Sequence, residues 1–304
     1  KMKILFLGSS SFSTICLSQM LKQGLNVVGV ITQPDRPSGR GHKMTANVVK
    51  SFAMSEGLKV YTFDRLKNHI EEIKNIDYDI ACVASFGQIL PKEFLDYRLT
   101  INVHPSLLPK YRGASPIQSA LLNCDKVTGV TIMKVALKVD SGDIILQKEY
   151  EIGDEYYREL EEKLATLGGD MVAEVVKQIE NGSVKFIPQD ESKATEVSKF
   201  DKSDGKLDFS QSAEKIVGRV KALSEEVGCF IDIEGKPVKI GQAQDVSGQY
   251  EVMPKQILNF KKSFVIGCEN GAVEILSCQA PSGKMISGRD YLNGHNDILG
   301  KMVD

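Results

Sequence analysis

Ile4-Leu5-Phe6-Leu7-Gly8-Ser9-Ser10-Ser11-Phe12 is the stretch on which the fold turns. A run of large apolar residues breaks at a small-residue turn, and from Phe12 to Lys22 apolar residues recur at helical spacing. Val27-Val28-Gly29-Val30-Ile31 then forms a second short β-branched run. Strands that are apolar without alternation are covered on both faces, which is the property of a parallel sheet with helical crossovers. The pattern continues outward: Ile80 to Ala84 and Thr100 to Val103 read as buried strands, with helical spacing at Ala46 to Glu56 and Leu66 to Lys74. Val130 to Met133 and Ile144 to Tyr150 add two more strands, and a long amphipathic helix over Tyr156 to Asn181 ends at Asn181-Gly182. The expected fold class is α/β, a doubly wound, mostly parallel, Rossmann-like sheet.

At 304 residues the chain exceeds the usual size of one domain. Asp190 to Ser203 is polar with almost no large aliphatic residues, so it reads as a linker or extended arm. The expected division is a catalytic domain over 1–189, a linker over 190–205 and a smaller domain over 206–304. In the last, one helix (Ala213 to Leu223) precedes short strands near Cys229 to Ile233, Pro237 to Gln242, Gln256 to Asn259, Ser263 to Gly267 and Val273 to Ser277. That spacing predicts a small OB-like β-barrel, a shape that often serves nucleic acid. Yet residues 201–304 hold 13 Lys and Arg against 15 Asp and Glu, so composition alone does not make it basic.

The whole chain carries 38 Lys and Arg against 40 Asp and Glu, which excludes a global attraction to polyanions and requires any such partner to meet a local patch. The apolar runs are far shorter than a membrane span and lack a signal-peptide layout, so a cytoplasmic protein with no membrane partner is expected. Six scattered cysteines without a Cys-x-x-Cys pair read as buried free thiols, and four dispersed histidines imply no metal. No protein partner is predicted.

The turn Gly8-Ser9-Ser10 lacks the second and third glycines of a dinucleotide fingerprint, so Ser9 or Ser10 is expected only to cap the following helix. The chemistry concentrates in Ile101-Asn102-Val103-His104-Pro105-Ser106-Leu107-Leu108-Pro109-Lys110-Tyr111-Arg112-Gly113. On a strand, Asn102 and His104 point to one face, converging an amide donor and a titratable imidazole at a strand end. Acyl transfer to an amine needs donors for a tetrahedral oxyanion and a base for the ammonium proton. A carboxylate to orient the imidazole can come from Asp140 or Asp143 in Lys138-Val139-Asp140-Ser141-Gly142-Asp143. Ser106 lies in no G-x-S-x-G elbow, which disfavours a serine nucleophile.

Asn-Val-His-x-Ser-Leu-Leu-Pro-x-x-Arg-Gly over Asn102 to Gly113, followed by Leu-x-x-Asp-x-Gly-Asp, resembles the folate-dependent formyltransferases. That resemblance implies Asn102, His104 and Asp140 as a catalytic triad, with Asp140 rather than Asp143 matching the motif, and 10-formyltetrahydrofolate as donor. Phe86-Gly87-Gln88-Ile89-Leu90-Pro91 is similar to the family's loop bordering the folate pocket, and with Ser106, Leu107, Leu108 and Pro109 it is the implied folate site. The Gly/Pro-punctuated, locally basic segment Gln33-Pro34-Asp35-Arg36-Pro37-Ser38-Gly39-Arg40-Gly41-His42-Lys43 resembles the loop of those members whose acceptor is methionyl initiator tRNA. It implies Arg40 as the leading tRNA contact, with Arg36 and Lys43 behind it.

The resemblance runs through nearly the whole chain, including Thr128-Gly129-Val130-Thr131-Ile132-Met133 and Asp204-Gly205-Lys206-Leu207-Asp208-Phe209-Ser210. It departs around Leu223 to Gly228, where a family Asn-Pro-Trp-Pro-Gly stretch is replaced, and at Tyr156-Tyr157-Arg158. The implied function is formylation of methionyl initiator tRNA for translation initiation. The alternatives are a nucleotide-sugar or other small-amine formyltransferase, which would need no basic loop, and a non-catalytic RNA-binding protein on an inactive transferase scaffold.

Overall fold

The computed structural model describes residues 1–38, 43–45 and 47–304, with backbone only for 37, 38 and 43–45. Two compact units emerge. The first comprises Lys1–Gly113, Val127–Glu151 and Glu161–Val197; the second comprises Ala114–Lys126, Ile152–Leu160 and Ser198–Asp304. Among the described residues no helix is long and apolar enough to cross a membrane.

In chain order the elements are β1 (Lys3–Leu7), α1 (Ser11–Lys22), β2 (Asn26–Thr32), β3 (Arg36–Ser38), β4 (Lys43–Thr45), α2 (Val48–Ser55), β5 (Val60–Thr62), α3 (Ile70–Lys74), β6 (Ile80–Val83) and α4 (Lys92–Tyr97). They continue as β7 (Leu99–His104), β8 (Arg112–Gly113), α5 (Pro116–Leu122), β9 (Val127–Lys134), β10 (Ile144–Glu151), α6 (Tyr157–Glu180) and β11 (Glu196–Val197). The first unit is built on a seven-stranded sheet in the order β10-β9-β7-β6-β1-β2-β5. The pairs β1–β2, β1–β6, β2–β5 and β6–β7 are parallel, while β7–β9 and β9–β10 are antiparallel.

Ile4, Leu5, Phe6 and Leu7 are all fully buried, so the unbroken apolar run of β1 does mark a strand covered on both faces. Leu5 and Leu7 join Ile31, Phe63, Leu66, Ile73, Ala81, Val83 and Phe94 in one core cluster. Burial of each such side chain stabilises the fold by about 1.5–3 kcal/mol. Beneath the opposite face, Gly168 of α6 lies so close to Val103 that a Cβ there would stand 2.5 Å from its Cγ1. The predicted helix over Leu66 to Lys74 is a single 3-10 turn at Leu66–Asn68 followed by the short α3. The predicted loop after β2 instead contains the antiparallel pair β3–β4, with Pro37 opposite Met44, a hairpin hidden by its Gly/Pro content.

The chain leaves β1 toward β2 and β5 and returns to β6 on the other side, which makes the gap between β1 and β6 the switch point where α/β sheets bind ligands. Here the Ser9 amide donates to the Ser85 carbonyl (2.9 Å) and the Gly87 amide donates to Ser9 Oγ (3.1 Å). Ser13 Oγ accepts from the Ser9 and Ser10 amides, and Ser10 caps α1. The small residues of the opening turn thus tie α1 to the end of β6.

The second unit contains α5, α7 (Ala213–Leu223), β12 (Cys229–Ile233), β13 (Lys236–Asp245), β14 (Val265–Cys268), β15 (Gly271–Gln279), β16 (Ile286–Ser287) and α8 (Gly288–Gly294). Its strands form an antiparallel half-barrel ordered β12-β13-β15-β14, with β16 on β15. Gln256 to Asn259, expected as a strand, contributes only isolated bridges from Gln256 to Met302 and from Ile257 to Ile266. Alternation along β12 buries Cys229, Ile231 and Ile233 beside Ile216, Val220 and Leu223 of α7. Burial raises the thiols of Cys229 and Cys278 to about 12, so neither is a reactive thiolate.

Gly142, in the β9–β10 connection, lies beneath Lys134; a Cβ would stand 1.6 Å from the Lys134 carbonyl oxygen. Gly142→Ala is expected to lower stability by about 1–3 kcal/mol, read as a urea midpoint, because backbone must move to admit the methyl; an unchanged midpoint would refute this close packing. His69 stacks on Phe63 and bonds Glu72 (2.8 Å) and Asp64 (3.0 Å), which raise its pKa above 6.5, Glu72 first. The resulting stabilisation is complete below that value and disappears as pH rises through the elevated one. Between about pH 6 and about pH 8, His69→Gln should flatten the decline in thermal midpoint, and a slope identical to that of the unsubstituted chain would contradict it.

Candidate active site

β7 delivers Asn102 and His104 to the sheet's carboxyl edge, paired with Met133 and Thr131 of β9. Asn102 is half-buried and His104 is 4% exposed. His104 Nε2 lies 2.8 Å from the Tyr111 carbonyl oxygen. A carbonyl only accepts, so Nε2 carries the hydrogen and Nδ1 is left outside that bond. Nδ1 faces Asp140 Oδ2 at 3.7 Å. The carboxylate opposite the imidazole is therefore that of Asp140, while Asp143 uses its carbonyl to accept from the Lys134 amide and continue the hairpin.

The loop between His104 and Gly113 is held at every step. The Ser106 amide donates to the His104 carbonyl (2.9 Å), and Ser106 Oγ donates to the Lys110 carbonyl (2.5 Å). Thr131 Oγ1 donates to the Ser106 carbonyl and accepts from the Leu108 amide, and Gln147 Nε2 donates to both Thr131 Oγ1 and the Leu108 carbonyl. Leu107 packs on Gly129, where a Cβ would meet its Cδ2 at 2.5 Å. Of the four loop residues in the implied folate site, Ser106 and Leu108 thus face inward and set the loop's shape.

Asp140 has φ +53, a left-handed conformation that Asp tolerates better than most residues. Its Oδ2 accepts from the Gly113 amide at 2.8 Å. Gly113 has φ +105, and a Cβ would stand 2.3 Å from the Val197 carbonyl oxygen, which explains the glycine after Arg112. Arg112 itself is only 2% exposed, and each guanidinium nitrogen donates to Gln189 or Glu191. Nη1 and Nη2 each donate to one Glu191 oxygen at 2.9 Å, while Nε and Nη2 donate to Gln189 Oε1 at 3.1 and 2.8 Å. The fork on Glu191 raises the guanidinium pKa and lowers that of the carboxylate. Gln189 Nε2 donates to the Asp140 and Gly142 carbonyls at 2.8 and 2.7 Å. Sequence reasoning had passed over Gln189, Glu191 and Thr195. The available signal was Arg112, a cation in a loop that holds no acidic residue.

The Phe86–Leu90 loop leaves β6 at the switch point. Phe86 and Leu90 pack against the core cluster, and Ile89 is 90% exposed. Gln88 commits its amide to the preceding segment: Nε2 donates to the Phe63 carbonyl (2.6 Å) and Oε1 accepts from the Leu66 amide (3.2 Å). Gly87 lies against Gln33, whose Oε1 accepts from Arg36 Nη2 at 2.5 Å. Asp35 is ion-paired with Lys50 at 3.0 Å, so the acidic residue of the basic segment is matched from outside it. Arg36 is exposed. Lys43 lies on β4 opposite Ser38 by backbone register, and Arg40 lies outside the described residues.

The formyl transferase family model matches residues 2–176, and the model of the formyl transferase C-terminal domain matches residues 199–296. A methionyl-tRNA formyltransferase of Sulfurihydrogenibium sp. is 37% identical over 312 residues, covering 100% of both chains. That of Alkaliphilus oremlandii is 36% identical over 310 residues, covering 99% of this chain and 100% of the relative. Among solved structures, an N-formyltransferase from Helicobacter canadensis has a TM-score of 0.69 at 20% identity, covering 90% of this chain and 99% of its own. HypX from Aquifex aeolicus has a TM-score of 0.68 at 17% identity, covering 99% of this chain and 50% of its own. These two share the fold, whereas the full-length relatives share the sequence from end to end: the chain belongs to the formyl transferase family and, within it, to the methionyl-tRNA formyltransferases.

Proposed function

We propose that Asn102, His104 and Asp140 carry the transfer of the formyl group from 10-formyltetrahydrofolate to the α-amine of methionyl initiator tRNA, supplying formylmethionyl-tRNA for translation initiation. The observation that carries this is the buried imidazole with Nε2–H held by the Tyr111 carbonyl and Nδ1 turned to Asp140. The amine nitrogen bonds to the formyl carbon, the carbonyl oxygen becomes an oxyanion, and the carbon's bond to the folate nitrogen then breaks. One proton leaves the ammonium and one is gained by the folate nitrogen, so the exchange balances. Nδ1 of His104 is placed to pass that proton, with Asp140 beside it to balance the charge of an imidazolium. The Asn102 amide serves the oxyanion, a donor worth about 2.7–4 kcal/mol in such sites.

The folate donor fits the edge between β6 and β7. Ile89 stands bare beside the switch point, and Leu137 and Val139 are exposed next to Asp140, giving apolar surface for a flat heterocycle. Leu107, Pro109 and the backbone of Gly87 complete that surface in this reading, with Phe86, Gln88, Leu90, Ser106 and Leu108 setting its shape. The acceptor's phosphates meet Arg36, Arg40 and Lys43, a local basic patch on a chain without overall positive charge. The reaction belongs with the translation machinery in the cytoplasm.

His104→Ala and Asn102→Ala are expected to lower kcat for formylation of charged initiator tRNA by about a hundredfold or more while the unfolding midpoint stays near that of the unsubstituted protein. Turnover close to the original by either variant would sink the assignment. Arg40→Ala should act on the acceptor side: weaker use of tRNA and a shallower dependence on salt, by about one phosphate contact. Unchanged KM and salt slope would remove Arg40 from the interface.

A further inference from the structure

We infer that two residues of a strap over residues 189–197 serve the catalytic centre, Gln189 as a positioning residue for Asp140 and Thr195 as a positioning residue for His104. The inference rests on the triad reading above. The strap bonds the turn that carries Asp140 and the backbone of Tyr111, whose carbonyl meets the imidazole. Gln189 Nε2 donates to the carbonyl of Asp140 itself and to that of Gly142, gripping the turn from both sides of Ser141. Its Oε1 is pinned by the buried guanidinium of Arg112, and that guanidinium is pinned in turn by Glu191. The amide of Gln189 therefore has one orientation, with its donors toward Asp140.

On the other side, Thr195 Oγ1 accepts from the Tyr111 amide (2.8 Å), its amide donates to the Pro109 carbonyl (3.1 Å), and its carbonyl accepts from the Arg112 amide (2.8 Å). β11 then pairs with β8 in parallel, Glu196 against Arg112 and Val197 against Gly113. Tyr111 has φ +61, a conformation that a non-glycine residue holds only when its surroundings impose it, and its carbonyl receives His104 Nε2–H. The strap thus imposes the backbone at Tyr111 and at Asp140, which also stands at positive φ. Released from it, both residues would relax toward commoner conformations and the 3.7 Å relation between Nδ1 and Oδ2 would drift. Displacement of about 1 Å in a reacting constellation costs about a hundredfold in rate.

Gln189→Leu keeps the side chain's bulk and removes both donors, and Gln189→Glu keeps an acceptor for Arg112 but sets a carboxylate against two carbonyls. Both variants are to be assayed on charged initiator tRNA, with Ser192→Ala, whose hydroxyl bonds only Asp190 within the strap, as the control. The expected result is a fall in kcat of about tenfold to a hundredfold, KM values for tRNA and donor unchanged within about threefold, and a displaced pH–rate profile, with Ser192→Ala unaffected. Nitrogen-15 spectra of histidine-labelled protein should show an altered Nε2–H signal of His104 in Thr195→Val, a readout independent of turnover. A pH–rate profile and kcat like those of the unsubstituted enzyme in both Gln189 variants would overturn the inference. A loss of kcat matched by a lowered unfolding midpoint with the profile unmoved would overturn it equally, since it would reduce the strap to scaffolding. His104→Ala separates the two readings: if that variant remains active the triad assignment fails, and if it is inactive while the Gln189 variants are normal, only the strap does.

Discussion

A buried guanidinium is the constraint from which the active-site half of this protein is built. Arg112 is withdrawn from water, and a lone buried cation would cost several kcal/mol. It is tolerated because a carboxylate and an amide oxygen are brought to it by a segment far away in sequence, Gln189 to Glu191. That recruitment fixes where the chain runs after α6, places β11 against β8, and leaves the Gly113 amide free to donate to Asp140. Glu191 itself is largely exposed, so the charge pair contributes little to net stability, as ion pairs open to water usually do. What it contributes is direction, since a planar fork accepts its partners in one geometry.

The imidazole depends on this arrangement. A histidine at a strand end has two usable nitrogens, and catalysis requires one to be committed so that the other is available. The Tyr111 carbonyl makes that commitment from a backbone held at positive φ. The orientation of the imidazole is thus set by a main-chain group. The tight packing around Gly113 and Gly142 has the same purpose, for each lets one backbone segment approach another closely enough to fix the turn that carries Asp140.

The switch point follows a different logic. β1 and β6 pair in parallel, but the connections that follow them lead to opposite sides of the sheet, and the crevice between those connections is bridged by serines of the β1–α1 turn and by the Phe86–Leu90 loop. Gln88 closes its own local network, which leaves Ile89 outward. The contrast with the second unit is plain: its antiparallel half-barrel alternates buried and exposed residues along β12 and β13, as a sheet with one wet face should.

Much of this was legible in the sequence because it is local. The continuous apolar runs of β1 and β6 announced a parallel sheet, and the two-residue spacing of Asn102 and His104 announced a shared face. Period and burial are properties of neighbouring residues, so they survive in the linear text. The choice of Asp140 came from a motif, and the hairpin β3–β4 and the shortened α3 were masked by glycines, prolines and weak periodicity. Only the tertiary structure decided which histidine nitrogen is free, and that the polar stretch after residue 189 reaches back to Arg112 and Tyr111. The contacts of the strap join atoms 77 to 84 residues apart, and the bond from His104 to Tyr111, though only 7 residues long, depends on a carbonyl direction; neither leaves a period for a sequence to display.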